Sequence, residues 1–166
     1  DSVRLKIEQR LDYLNLLKNC DCFIDLDIAT QLDEVNFLKD QQLSDTASIL
    51  PYLPDEVQAN KALNKITFLS LMNHSSGLPR LPDNMPLKEN DLQPYAGYNS
   101  KMLFEFLAIA KPSDKKRYVY SNLGMALAGV LAERISGKSY AALLDKYIFL
   151  PFKIVYAEKT IAKSNN

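Results

Sequence analysis

The sequence predicts a mainly α-helical fold. Apolar residues recur at helical spacing in several separate segments, and only 117–120 and 154–157 are typical of extended chain. Stretches as short as these do not form a sheet by themselves. The chain has 166 residues, 47% of them hydrophobic, which is enough to bury one sizeable core. We therefore expect one domain of packed helices.

The first predicted helices are amphipathic. In 2–18 an apolar residue recurs every three or four positions, and 30–42 carries a similar face. The helix 2–18 either packs onto the rest of the domain or binds a partner. A shorter helix is predicted at 67–74, and Gly77 and Pro79 follow it as stop signals.

A proline-rich segment precedes the next helix. Four of the eight prolines lie in 79–94, which predicts an irregular loop that can rim a cleft. After it, we expect Ser100 to cap a helix that runs to Ala110, with Pro112 ending it. The inward face of this helix is predicted to contain Leu103, Phe106, Leu107 and Ala110.

The last two predicted helices are 122–136 and 139–149. The first has an apolar face and a second stripe of small residues. Residues 132–139, which end in Gly137-Lys138-Ser139, fit a relaxed phosphate-loop pattern, but the preceding residues form a helix where a phosphate loop requires a strand. We interpret Gly137 as a left-handed helix cap and the tripeptide as a turn.

Composition excludes several classes of partner. Twenty Lys and Arg balance twenty Asp and Glu, so the chain presents no broad field for nucleic acid or an anionic membrane. No apolar run approaches the ~20 residues of a transmembrane helix. The chain begins at Asp1 without an initiator methionine or signal peptide, as expected of a processed, excised or incomplete chain.

We predict no metal and no cofactor. Cys20 and Cys22 are too close for an unstrained disulfide, so we expect free thiols. His74 is the single histidine, so a Ser-His-Asp triad would have to use it, and it is distant in sequence from both cysteines. We favour a structural His74.

The segment Tyr120-Ser121-Asn122 carries the chemistry. A phenol and a carboxamide one residue apart, at the start of an apolar helix, can point into one cleft from a rigid base. A phenol has an ordinary pKa of ~10, so it acts as a base only where cations or a helix N-terminus stabilise phenolate. The alternative is a buried tyrosine at a helix start, with Asn122 as the cap.

Several segments in order resemble one family. Residues 66–79 resemble the "TxxxLLxHTSGLP" helix and turn of serine hydrolases related to class C β-lactamases and low-molecular-weight penicillin-binding proteins. Residues 43–54 and 94–107 resemble further segments of that family, and Tyr120-Ser121-Asn122 falls at its Tyr-x-Asn motif. The resemblance covers about residues 27–153. It implies the helical lobe of the α/β β-lactamase-like (DD-peptidase) fold, incomplete here, with 1–26 as an N-terminal amphipathic helix and divergent segment and 27–166 as the partial lobe.

The resemblance also implies roles. Tyr120 is the expected general base and later proton donor, and Asn122 is expected to orient the substrate amide or a nearby lysine. The implied substrate is a small acyl compound or a cell-wall peptide. The implied location is periplasmic or secreted, although the sequence itself assigns no compartment.

Two family motifs are missing. The nucleophile of a Ser-x-x-Lys motif falls near Ile24, with Asp27 in the lysine place, or else near Thr30 with Asp33, and the distal Lys-Thr-Gly motif is absent. The one match to Ser-x-x-Lys, residues 113–116, lies in a charged turn that we interpret as solvated.

We therefore predict a segment of a β-lactamase-related serine hydrolase that is inactive as this chain. The alternatives are a non-catalytic ligand-binding or scaffolding relative of that family and a helical interaction protein with coincidental motifs. A partial lobe is also expected to self-associate through exposed core faces.

Overall fold

The structure, a computed structural model, describes residues 37–86, 95, 97–115 and 117–150. Its elements are α1 (Leu38–Asp40), a 3-10 helix (Leu50–Tyr52), α2 (Asp55–Gln58), a second 3-10 helix (Lys61–Lys65), α3 (Phe68–Met72), α4 (Ser100–Ile109), α5 (Asn122–Ser136), α6 (Tyr140–Leu144) and a π-helical turn (Asp145–Phe149). These residues contain no β-strand, only an isolated antiparallel bridge between Ser48 and Thr67. The predicted mainly α-helical fold is confirmed for this part of the chain.

Helix α5 is the centre of the core. It packs against α3, α6 and the first 3-10 helix, and every side chain from Leu123 to Gly129 is buried. Its bounds are those predicted. Gly137 follows it at φ 66° and donates its N–H to the Glu133 carbonyl at 2.8 Å, so the predicted left-handed cap is confirmed.

Helix α3 ends earlier than predicted. Thr67 and Ser70 form a capping box at its start, and the helix stops at Met72 instead of continuing to residue 74. The chain turns at His74, which adopts a left-handed backbone with φ 58°. Gly77, at φ 77°, belongs to the following turn and does not itself end the helix.

Helix α4 confirms its predicted inward face, because Leu103, Phe106, Leu107 and Ala110 are all buried. Its predicted cap is wrong by one residue. Asn99 is the cap, with its side chain accepting the Met102 N–H at 3.1 Å, and Ser100 is the first helical residue. Asn and Ser are equally good cap types, so the sequence alone did not decide between neighbours.

The segment between α1 and α3 was not predicted to be helical. Its two 3-10 helices and α2 are held by distant partners. The Asn60 side chain donates to the carbonyls of Leu107 at 2.9 Å and Ala110 at 2.8 Å, which caps the end of α4 from the outside. Helix α2 packs on α4 at the same place.

The C-terminal helical region matches the prediction for 139–149. Ser139 accepts the Ala142 N–H and caps α6, and the π-helical turn continues it. Lys146 and the Tyr147 hydroxyl both bond the Asp40 carboxylate, at 2.5 and 2.9 Å, and lower its pKa. The helix predicted at 2–18, the start of 30–42, the stretch 154–157 and both cysteines lie outside the described residues.

Candidate active site

The two predicted site residues lie at the N-terminus of α5. Tyr120 precedes the helix in irregular chain and is 39% exposed. Asn122 is the first helical residue and is half-buried. The turn 74–80 packs against this segment, so the site is built from the end of α3 and the start of α5.

Ser121, between them, fixes the backbone. It is buried, its hydroxyl donates to the Pro79 carbonyl at 2.7 Å, and the same oxygen accepts the Gly124 N–H at 2.9 Å. Ser121 is therefore the cap of α5, and the alternative that Asn122 is the cap is wrong. Capping does not occupy the Asn122 carboxamide.

His74 supports the segment from below. It is 3% exposed, its carbonyl oxygen accepts the Val119 N–H at 2.8 Å, and its Nδ1 accepts the Ser121 N–H at 3.2 Å. Burial lowers the pKa of His74, so the imidazole is neutral at pH 7. Because Nδ1 accepts, the proton of the neutral ring is on Nε2. That atom is buried without a hydrogen-bond partner within the described residues.

Aromatic rings cover His74 on the outer side. The Tyr120 ring lies 4.9 Å from the imidazole, centroid to centroid, at an interplanar angle of 37°. The Tyr118 ring makes an edge contact at 5.4 Å. Tyr118 is 68% exposed, so Tyr120 is the more enclosed of the two phenols.

A cation stands beside the phenol. The Arg80 guanidinium lies 5.8 Å from the Tyr120 ring centroid, and the Arg80 carbonyl accepts the Leu123 N–H at 3.2 Å. Tyr120 thus lies beside a guanidinium and two residues before the start of α5.

The sequence did not predict that His74 and Arg80 contact the segment around Tyr120. The available indication in the sequence was their position, since both flank the Ser-Gly-Leu-Pro turn. Their contacts with Tyr120 and Ser121 join residues about forty positions apart, which no local pattern reveals.

The two candidate positions for the family's Ser-x-x-Lys nucleophile, Ile24 with Asp27 and Thr30 with Asp33, lie outside the described residues.

The remaining match to that pattern starts at Ser113, which is exposed in irregular chain. Its N–H donates to the Gly77 carbonyl at 2.9 Å. The neighbouring Asp114 pairs with Lys65, and this ammonium lowers the pKa of Asp114. These contacts agree with the interpretation of the segment as a solvated turn.

A cavity of about 770 Å³ adjoins the site. It lies between the end of α4, the turn that contains Gly77 and the loop that leads to α5. Its apolar wall includes Phe106, Pro112 and Val119, and charged side chains including Asp83, Glu105, Lys111 and Arg117 surround it. Val119 is the residue immediately before Tyr120, so the cavity and the phenol share one stretch of chain.

Neither a metal cluster nor a membrane-spanning helix is found in the described part of the chain. No three His, Cys, Asp or Glu side chains there are grouped to hold a metal ion. No helix in that part is long and apolar enough to cross a bilayer.

Comparison with known proteins places the chain among β-lactamase-like proteins. Residues 35–156 match the family described as Beta-lactamase. The chain is similar to a Yersinia pestis β-lactamase/D-alanine carboxypeptidase solved with citrate, at 27% identity and a TM-score of 0.65, over 81% of this chain and 38% of that one. A class C β-lactamase from Rhodobacter sphaeroides matches at 22% identity and a TM-score of 0.58, over 81% of this chain and 35% of that one.

A third relative is a Dichelobacter nodosus protein named "Putative fimbrial assembly protein FimD, serogroup D", 23% identical over 88% of this chain and 34% of its own length. The chain thus spans between 34% and 38% of the length of these relatives. The predicted fold class, a helical part of the β-lactamase-like fold, is confirmed.

Proposed function

Because the chain belongs to the Beta-lactamase family, we propose that it provides the tyrosine-bearing helical lobe of a serine hydrolase that cleaves amide or ester bonds. Tyr120 and Asn122 are its proposed catalytic residues. One observation carries the proposal: Tyr120 projects a partly exposed phenol from a backbone that Ser121 and His74 hold on both sides. A tyrosine that only covered the surface would not need a backbone held by these hydrogen bonds.

The proposed reaction is acyl transfer through a serine. Tyr120, as phenolate, takes the proton of the serine hydroxyl while the serine oxygen bonds the acyl carbon. The bond to the leaving group then breaks, and the leaving nitrogen or oxygen receives that proton from Tyr120. Water then attacks the acyl carbon in the same two steps, which releases the acid and returns the proton to the serine oxygen. Asn122 donates its amide N–H to a carbonyl of the substrate and fixes its orientation.

The proposed substrates are small acyl compounds or cell-wall peptides. The name of the Yersinia relative, a D-alanine carboxypeptidase, supports a peptide substrate. Since a serine nucleophile and its lysine are not identified in this chain, we propose that the chain alone has no turnover.

A second candidate function is a non-catalytic binding relative. It is favoured by the residues at the expected nucleophile positions, where neither register contains a serine with a lysine. Asp27 or Asp33 in the lysine place cannot accept a hydroxyl proton as an amine does, and a carboxylate opposes a developing oxyanion. Such a relative keeps the cleft and binds without chemistry.

Labelling with a fluorescent penicillin, or with a phosphonate that carries a leaving group, is the first test. Both candidate functions predict no covalent label on the isolated chain, so labelling at any of its serines contradicts both. Sequencing the gene on either side separates them. Ser-x-x-Lys upstream and Lys-Thr-Gly downstream favour the enzyme, whereas a reading frame without them favours the binding relative.

The second test uses the protein with any such flanking sequence and an activated ester as substrate. We expect Tyr120→Phe to reduce kcat by about 100-fold or more, the usual contribution of a positioned acid-base group. Tyr118→Phe is the matched control, because Tyr118 also contacts His74 but is more exposed. Equal kcat in the two variants would show that Tyr120 is not the base.

A further inference from the structure

We propose that His74 is a positioning residue for Tyr120, a latch that is closed only while its imidazole is neutral. The proposal rests on the proposed function, in which Tyr120 is the general base. It concerns a residue that neither the motif nor the family match assigns to the chemistry.

The latch consists of two hydrogen bonds to one residue. Val119 donates its N–H to the His74 carbonyl at 2.8 Å, and Ser121 donates its N–H to His74 Nδ1 at 3.2 Å. Both chain neighbours of Tyr120 are therefore bonded to His74, Val119 through the backbone carbonyl and Ser121 through the imidazole. The Tyr120 ring lies against that imidazole, at 4.9 Å between centroids.

Two features mark the position of His74. Its backbone is left-handed, at φ 58°, a conformation that is uncommon for residues other than glycine, Asn, Asp and His. Its Nε2 is buried without a partner among the described residues, an arrangement that native structures rarely keep without a reason. A side chain that only filled space would not need a ring nitrogen directed at Ser121. The acceptor at Nδ1 and the flat face under Tyr120 are what an imidazole supplies.

Protonation reverses the role of Nδ1. In the imidazolium both ring nitrogens are donors, so Nδ1–H would face the Ser121 N–H and the hydrogen bond would be lost. The bond from Val119 would remain, because it ends on a carbonyl oxygen. The ionisable and charged groups around the ring are the phenols of Tyr118 and Tyr120, with Arg80 over the latter. Burial is the cause of the lowered His74 pKa, and no ion pair to His74 occurs within the residues described.

Amide hydrogen exchange of the whole chain, followed by NMR between pH 4 and 8, tests the latch. The measured quantity is the ratio of the protection factors of Ser121 and Val119, which cancels the intrinsic pH dependence of exchange. We expect this ratio to fall about tenfold as His74 titrates, the effect of losing one hydrogen bond. A ratio that does not change, or a joint loss of both protections, would overturn the proposal.

His74→Asn is the matched variant. Asparagine tolerates a left-handed backbone, and its carboxamide oxygen can accept the Ser121 N–H without titrating in this range. We expect it to preserve the ratio at all pH values. A fall equal to that of the unmodified chain would assign the change to another group and overturn the proposal.

An activity measurement separates this inference from the proposed function. In catalytically competent protein, protonation of Tyr120 itself lowers kcat at acid pH in every variant. Loss of the hydrogen bond to Nδ1 should add a further fall that follows the His74 titration and is absent in His74→Asn. If Tyr120→Phe reduces kcat but His74→Asn keeps this further fall, the inference is wrong and the proposed function stands. If Tyr120→Phe leaves kcat unchanged while the exchange ratio titrates, the proposed function is wrong and the pH-dependent latch stands.

Discussion

Replacing Gly77 by alanine probes the close packing of the turn 74–80 against the loop before α5. A Cβ at Gly77 would lie 2.3 Å from the Ser113 carbonyl oxygen and 2.9 Å from its nitrogen, distances that real Cβ contacts do not show. The backbone of this loop has to move. That movement breaks the hydrogen bond from the Ser113 N–H to the Gly77 carbonyl, 2.9 Å long.

Gly137→Ala is the control. Gly137 is also left-handed, at φ 66°, but no atom lies within 4 Å of its built Cβ. The Gly137→Ala variant therefore loses only the tolerance of glycine for a left-handed backbone, which costs about 1 kcal/mol of unfolding free energy. Gly77→Ala adds a broken hydrogen bond of about 1 kcal/mol and strain of about 1–3 kcal/mol, for a total of about 3–5 kcal/mol.

Urea unfolding followed by circular dichroism measures both variants. The difference of about 2–4 kcal/mol corresponds to several degrees in Tm for a chain of this size. If the free energies of unfolding of the two variants agree within about 0.5 kcal/mol at equal m values, the loop moves without strain. The close approach at Gly77 is then not a constraint on the fold.

Three further predictions concern stability. Burial lowers the folded-state pKa of His74 below its unfolded value of 6.5. The contribution of His74 to the free energy of unfolding is therefore complete above pH 6.5 and is lost as the pH falls from there towards the folded-state pKa. The urea midpoints at pH 7.5 and pH 5 should differ less in His74→Asn than in the unmodified chain. Asn60→Asp removes both donations to the end of α4 and should lower the free energy of unfolding by about 2–3 kcal/mol, whereas Asn64→Asp keeps its acceptor for Ser48 and should be near neutral. Ser121→Ala removes a buried helix cap and should lower the free energy of unfolding by about 2 kcal/mol. Ser139→Ala removes an exposed helix cap and should lower it by about 0.5–1 kcal/mol. Equal effects of the two variants would show that burial of the cap is unimportant.

Local signals predicted the long helices. The bounds of α5 follow from apolar spacing that ends at Gly137, and the inward face of α4 follows from its period. The short helices before α3 were not predictable in the same way, because Asn60 holds them through carbonyls 47 and 50 residues further along the chain. Tertiary contacts of this kind override weak local preference.

The candidate site divides similarly. Tyr120 and Asn122 could be singled out because they form a short motif at a helix start, and their catalytic role stays a prediction. The support they receive could not be predicted, since the hydrogen bond from Ser121 to His74 spans 47 residues. Ser121 and Asn122 are neighbours and both suit a helix cap, so only the folded chain shows that Ser121 takes that place and leaves the amide of Asn122 for other uses.

The enclosure of α5 affects how the site behaves under stress. The half of α5 from Leu123 to Gly129 is buried on every side, and it cannot open alone, because any opening exposes side chains of its neighbours as well. We therefore expect the helix start that follows Tyr120 to be among the last parts of the described fold to open on heating. Backbone amides from Met125 to Ala128 are then expected to be the slowest to take up deuterium.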